Sequence, residues 1–143
     1  MSARPALEAA YRAARYVAHG EDGAIELAVG ARSPALDSLL AAAGARRWAW
    51  LTAVNPAARR LDAQENRTRL ASLDAELAAA GRRTLPGAAL DPAGVWPEEE
   101  SRLVLDLDVE AARSLARRFG QLAFLAGEAG DAVRLEWTAP EPD

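Results

Sequence analysis

The chain has 143 residues, half of them hydrophobic, which is the length of one domain with enough apolar material for its own core. Its net charge is −4 and its pI about 5.1, a balance that argues against general nucleic-acid binding. There is no Cys, there is one His, and all 17 basic residues are Arg, which excludes disulfides, thiolate nucleophiles, clustered Cys or His zinc sites, a lysine Schiff base and a P-loop lysine. A Ser-His-Asp triad could use only His19. No apolar run reaches membrane-spanning length and the N-terminus lacks a signal-peptide core, so a cytoplasmic protein is expected.

Residues 4–14 place Leu7, Ala10, Tyr11 and Ala14 on one helix face. A hairpin follows: residues 15–19 meet residues 24–30 across Asp22-Gly23, with Ile25, Leu27 and Val29 alternating with Glu26 and Ala28. His19 at its tip reads as a solvated turn residue. Ser33-Pro34 starts a second helix with Leu36, Leu39, Leu40 and Ala43 inward, and Gly44 ends it. Residues 47–54 form a strand with Trp48, Trp50, Thr52 and Val54 on one side and Ala49, Leu51 and Ala53 on the other. Both faces are apolar, which marks a central strand.

Asn55-Pro56 breaks that strand, and a basic loop at 57–61 leads to Asp62 and Glu65, an N-cap and capping-box pair. The helix they open runs to Ala80, stops at Gly81, and buries Leu70, Leu73 and Leu77. Asn66, one turn before Leu70, falls on the same face and needs partners: it either braces the preceding loop or points at a ligand. Residues 82–85 read as a short strand, and Pro86-Gly87 and Asp91-Pro92-Ala93-Gly94 as a turn-rich segment. Trp96 is expected as a packing anchor, and Glu98-Glu99-Glu100 as a solvated turn.

Residues 102–108 form a strand with Leu103, Leu105 and Leu107 inward. Asp108 caps a helix that buries Ala112, Leu115, Ala116 and Phe119 and ends at Gly120. Strands at 121–126 and 132–137 flank a turn at 128–131, and a frayed tail is expected over 138–143. The expected architecture is a single α/β domain of mixed α+β type over 1–137: one mixed sheet of five to seven strands with helices packed on it. Two βαβ units at 24–54 and 101–126 and hairpins at both ends would build it.

Several of these motifs coincide with one known family. They are Tyr11 with Tyr16; Leu51-Thr52-Ala53 with Asn55-Pro56; Glu65-Asn66 with Leu70; Leu85-Pro86-Gly87; Asp91-Pro92 with Gly94; Trp96 with Glu99 and Ser101; and Arg118-Phe119-Gly120-Gln121. On these motifs the chain resembles, from about Tyr11 to Leu135, the bacterial domain-of-unknown-function family DUF3293. It departs from the family's pattern at Val54, where an aromatic residue is frequent, at Ala57 and Ala58, where Ser is frequent, and at Asp106, where Gly is usual. The resemblance implies a small bacterial protein and no established activity, so it assigns no catalytic residue.

The strand–turn–helix at residues 48–77 places polar groups beside a helix N-terminus at the carboxyl end of a buried strand. Both asparagines of the chain, Asn55 and Asn66, lie in it. The expected site gathers Thr52, Asn55, Asn66, Arg69, Trp96, Glu99, Ser101 and Gln121 around a small polar ligand. A nucleotide or phosphorylated metabolite is the proposed form, with Arg69 on its anion and Glu99 as the base if chemistry occurs. No metal and no cofactor are expected. The alternative is a non-catalytic interaction or regulatory module, a homodimer among its forms, with the last strand as an open edge and Trp137 as the anchor. Nucleic acid as a partner is disfavoured: the Arg pairs at 46–47, 59–60, 82–83 and 117–118 are outweighed by 21 acidic residues.

Overall fold

The computed structural model describes residues 4–140. Helix α1 (Arg4–Ala13) leads into the hairpin of β1 (Arg15–Gly20) and β2 (Gly23–Leu27), paired from Tyr16 with Leu27 to Gly20 with Gly23. His19 is exposed beside the turn. Helix α2 (Pro34–Ala43) opens on Ser33, whose hydroxyl accepts the Leu36 N–H at 3.2 Å, and closes on Gly44 at φ 69°. Helix α3 (Ala63–Ala79) opens on Asp62, which accepts the Glu65 N–H at 2.8 Å. Helix α4 (Val109–Arg118) opens on Asp108, which accepts the Ala111 N–H at 2.9 Å. Each cap satisfies an amide that the first helical turn cannot. Asp62→Ala is expected to lower the urea midpoint at unchanged slope, since the Glu65 amide loses its cap.

The remaining strands are β3 (Arg47–Leu51), β4 (Thr84–Leu90), β5 (Glu99–Leu105), β6 (Ala123–Glu128) and β7 (Arg134–Trp137). All seven form one sheet in the order β2-β1-β4-β5-β3-β6-β7. The fold is α+β, as expected, but the sheet is not mixed: every neighbouring pair is antiparallel. Neighbours therefore alternate in direction, and strands two or four places apart run the same way. Helices α2 and α4 do link such strands, β2 to β3 and β5 to β6. In each case other strands lie between them, so the expected βαβ crossovers exist without a parallel ladder among the described residues.

Pro86 and Gly87 are not a turn. They lie inside β4, where Pro86 pairs with Arg102 and Gly87 with Ser101. The pairing of β4 with β1 begins only at Gly87, so the missing Pro86 N–H faces a ladder on one side alone. Gly87 makes room for an indole: a Cβ there would lie 2.5 Å from Trp50 Cη2 and 2.8 Å from the Val17 carbonyl oxygen. Strand β5 likewise begins at Glu99, within the acidic run read as a solvated turn.

Two cores flank the sheet. Trp48, Trp50, Leu103, Leu105 and Leu125 join Leu36 and Leu40 of α2 on one face. Ala49, Leu51 and Val104 join the buried leucines of α3 and the inner face of α4 on the other. Strand β3 is thus covered on both faces, as its double apolar pattern requires. The sheet curls: the Gly30 N–H donates to the Val133 carbonyl at 2.8 Å, and the Val133 N–H to Ala31 at 2.9 Å, which draws the two edges together. Asp106, at φ 58°, occupies the left-handed region after β5. Its carboxylate pairs with Arg83 at 2.8 Å.

Thr138, the first residue of the expected tail, is buried, and its hydroxyl donates to the Gln121 and Leu122 carbonyls at 2.9 and 3.0 Å. Of the expected tail, residues 141–143 lie outside the described residues. Among the described residues no helix is long and apolar enough to cross a membrane.

Candidate functional site

Beyond Leu51, strand β3 leaves the sheet and turns sharply. Asn55 has φ 48°, and the single 3₁₀ turn Pro56–Ala58 holds Ala57 and Ala58 at φ 54° and 59°. Asn tolerates this region; two alanines in it are strained and must be held by their surroundings. The holding groups come mainly from two distant segments, α3 and the residues that end α4. Asn66 Oδ1 accepts the Asn55 N–H at 2.9 Å, and Asn66 Nδ2 donates to Asn55 Oδ1 at 2.9 Å. Asn55 Oδ1 also accepts the Leu61 N–H at 2.9 Å. The Ala57 N–H donates to the Gly120 carbonyl at 2.7 Å, and Pro56 sits so close to Gly120 that a Cβ there would lie 2.8 Å from the proline ring. Arg69 donates to the Ala53 carbonyl at 2.6 Å and to the Phe119 carbonyl, tying the end of β3 to the end of α4. Gln121 Nε2 donates to the Val54 carbonyl at 3.0 Å.

This turn forms one rim of a pocket of about 240 Å³ between α1 and the sheet. Leu7, Ala10 and Tyr11 of α1 roof it. Tyr16, Trp50 and Ala89 form its floor, and Trp96, Glu99 and Ser101 one side. Thr52, Asn55 and Gln121 close the rim with Ala58. The floor follows from register: Tyr16 of β1 lies opposite Ala89 of β4, which lies opposite Glu99 of β5. Trp50 reaches across Gly87 and meets the Tyr16 ring edge-on, at 5.7 Å and 80°. The Tyr16 hydroxyl donates to the Tyr11 carbonyl at 2.7 Å, which fixes α1 above the floor.

Among the described residues Glu99 is the one charged side chain lining this pocket. Its Oε2 accepts from Asn55 Nδ2 at 2.7 Å. Burial pushes its carboxyl above the ordinary glutamate range, and the Asn55 amide offsets only part of that. Burial, and next the negative charge of Glu99, pushes the Tyr11 phenol up to about 12. Burial likewise raises Tyr16, reinforced by Tyr11 and Glu99. The native state therefore holds the Glu99 proton to a higher pH than the unfolded chain does. This term lowers stability as pH rises from the ordinary glutamate range through the raised native value. Glu99→Gln, which can still accept from Asn55, is expected to raise Tm at neutral pH. The difference from wild type should shrink on acidification, as thermal melts across a pH series would show.

Six of the eight side chains picked out in the sequence line this pocket: Thr52, Asn55, Trp96, Glu99, Ser101 and Gln121. Asn66 does not. It faces an adjoining groove with Arg60 and Arg67, and its amide is occupied by the Asn55 loop. Arg69 lines neither hollow, because its guanidinium satisfies the carbonyls of Ala53 and Phe119. The covering helix is α1 rather than the N-terminus of α3, whose first amides meet Asp62. Tyr11, Tyr16 and Trp50 line the pocket as well, beyond the residues expected from the sequence. A period-two reading extended backwards from Leu103 and Leu105 would have placed Ser101 and Glu99 on the inner face.

Trp137, the expected anchor for a partner, is occupied within the chain: Tyr11 meets its ring edge-on at 5.9 Å, and the Arg4 guanidinium lies 4.2 Å from its ring centre. No curated protein and no solved structure matches the chain. A family model, described as protein of unknown function (DUF3293), matches residues 51–124, a narrower span than the resemblance drawn from motifs. That span is more than half of the chain and includes all eight candidate residues, and the chain belongs to the DUF3293 family.

Proposed function

We propose that the chain binds a small molecule in the pocket beneath α1. The observation that supports this most is the meeting of side chains from five separate segments in one hollow with an aromatic floor and a part-buried carboxylate. A pocket of this kind, apolar in body with few polar groups, is the usual form of a small-ligand site. A phosphorylated ligand is the weaker form of the reading, since no Arg lines the hollow. An interaction module is also weaker, because Trp137 already has Tyr11 and Arg4 on it.

The test uses the intact protein. Native mass spectrometry of the freshly purified chain should show a retained small molecule, absent from Ala10→Trp. Ala10 is exposed on α1 at the pocket's roof, so the indole should plug the hollow at a stability cost within about 0.5 kcal/mol. Identical spectra for the two proteins, with no ligand found by thermal shift against a metabolite library, would overturn the reading.

A further inference from the structure

We propose that the ligand is a protonated amine on a compact aromatic or apolar body, its ammonium seated on Glu99 among the pocket's rings; this rests on the pocket being a ligand site. Three observations point the same way. Glu99 has no ion-pair partner among the described residues: no Arg or His lines this pocket, and Arg60 and Arg67, which share the adjoining groove with Glu99, form no ion pair with it. Only one of its oxygens is engaged, Oε2 by Asn55; Oε1 has no hydrogen-bond partner among the described residues. Oε1 is therefore open to a donor from the pocket, and a cationic donor makes the strongest hydrogen bond to a carboxylate.

Five of the neighbouring polar groups spend a donor within the chain. The Thr52 hydroxyl donates to the Glu100 carbonyl at 2.6 Å, and the Ser101 hydroxyl to the Glu99 carbonyl at 3.0 Å. Asn55 Nδ2 is held by Glu99, Gln121 Nε2 by Val54, and the Tyr16 hydroxyl by Tyr11. What these groups leave toward a ligand is mainly acceptor capacity, beside the second hydrogen of Asn55 Nδ2. An ammonium supplies three donors and a positive charge, the complement of that set. Tyr11, Tyr16, Trp50 and Trp96 add ring faces and edges around the carboxylate, and aromatic faces attract cations. A hard divalent cation fits poorly, since it takes about six or more oxygen ligands and the pocket offers one carboxylate.

The experiment is isothermal titration of the intact protein with three probes that share a phenyl ring and a two-carbon tether: 2-phenylethylamine, 2-phenylethanol and phenylacetate. The amine should bind at least about tenfold more tightly than the alcohol, with phenylacetate weakest. Glu99→Gln, which keeps the Asn55 hydrogen bond, should abolish that preference. Ala10→Trp should remove binding of all three. Equal or tighter binding of the alcohol or the acid overturns the amine assignment and leaves the pocket reading intact. An amine preference that persists in Glu99→Gln also overturns it. If none of the probes binds, the amine assignment fails, and the pocket reading is decided separately by the native mass spectra of wild type and Ala10→Trp.

Discussion

Gly87→Ala is expected to lower stability by about 2–3 kcal/mol, the upper part of the range for overpacking a tight interior. For a domain of this size that is roughly 8–12 °C in Tm. The cause is specific. The new methyl group would meet the far edge of the Trp50 indole at 2.5 Å and the Val17 carbonyl oxygen at 2.8 Å. Neither yields easily: Trp50 is almost fully buried, and Val17 is held in the pairing of β1 with β4. The indole must swing off Gly87, away from Tyr16, and the pocket floor opens with it. Trp50→Leu on the Gly87→Ala background should recover part of the loss, because it removes the ring but not the clash with Val17. The two changes should be non-additive by about 1 kcal/mol or more, as for residues in direct contact. A Gly87→Ala variant with wild-type Tm would show that the indole does not occupy that notch.

Asn55→Ala is expected to cost about 3–4 kcal/mol, read as a shift in the urea midpoint. Three side-chain hydrogen bonds are lost, to Leu61, Asn66 and Glu99, each worth about 1 kcal/mol net. Alanine also pays roughly 1 kcal/mol to hold φ 48°, where asparagine is tolerated. Asn55→Gly separates the two causes, since glycine takes that φ freely but restores no hydrogen bond. It should recover about 1 kcal/mol and no more. The Glu99 carboxyl loses its donor in both variants, so its proton should be held to a still higher pH. Combined with Asn66→Ala, a double-mutant cycle should show coupling above about 1 kcal/mol. A loss below about 1 kcal/mol for Asn55→Ala would mean that the turn is not held by this amide pair.

The same two sites show how far reading the chain could go. Asn66 was readable as a loop brace because its place on the helix is set by the spacing from Leu70, and the brace is what the hydrogen bonds form. Gly87 was not readable: a Pro-Gly pair is ordinary turn chemistry until an indole from a strand two places away in the sheet needs the space. Arg69 was misplaced for a related reason. A long guanidinium goes where carbonyls lack partners, and the unsatisfied ones are at the ends of β3 and α4, more than a dozen residues away on either side. Glu99 was placed among the site residues and also in a solvated turn. The strand period decides between them, and Glu99 is the first residue of β5 on the inner face.

Local chemistry in the chain was enough to set the helix starts at Ser33, Asp62 and Asp108, the stop at Gly44, the terminal hairpins and the burial of β3 on both faces. Each depends on interactions within a few residues or on a short period of apolar side chains, and both are written in the sequence itself. The antiparallel order of the strands, the passage of β4 through Pro86-Gly87 and the roofing of the pocket by α1 were settled only in three dimensions. They depend on which distant surfaces meet, and contacts of that kind leave no mark on the spacing of neighbouring residues.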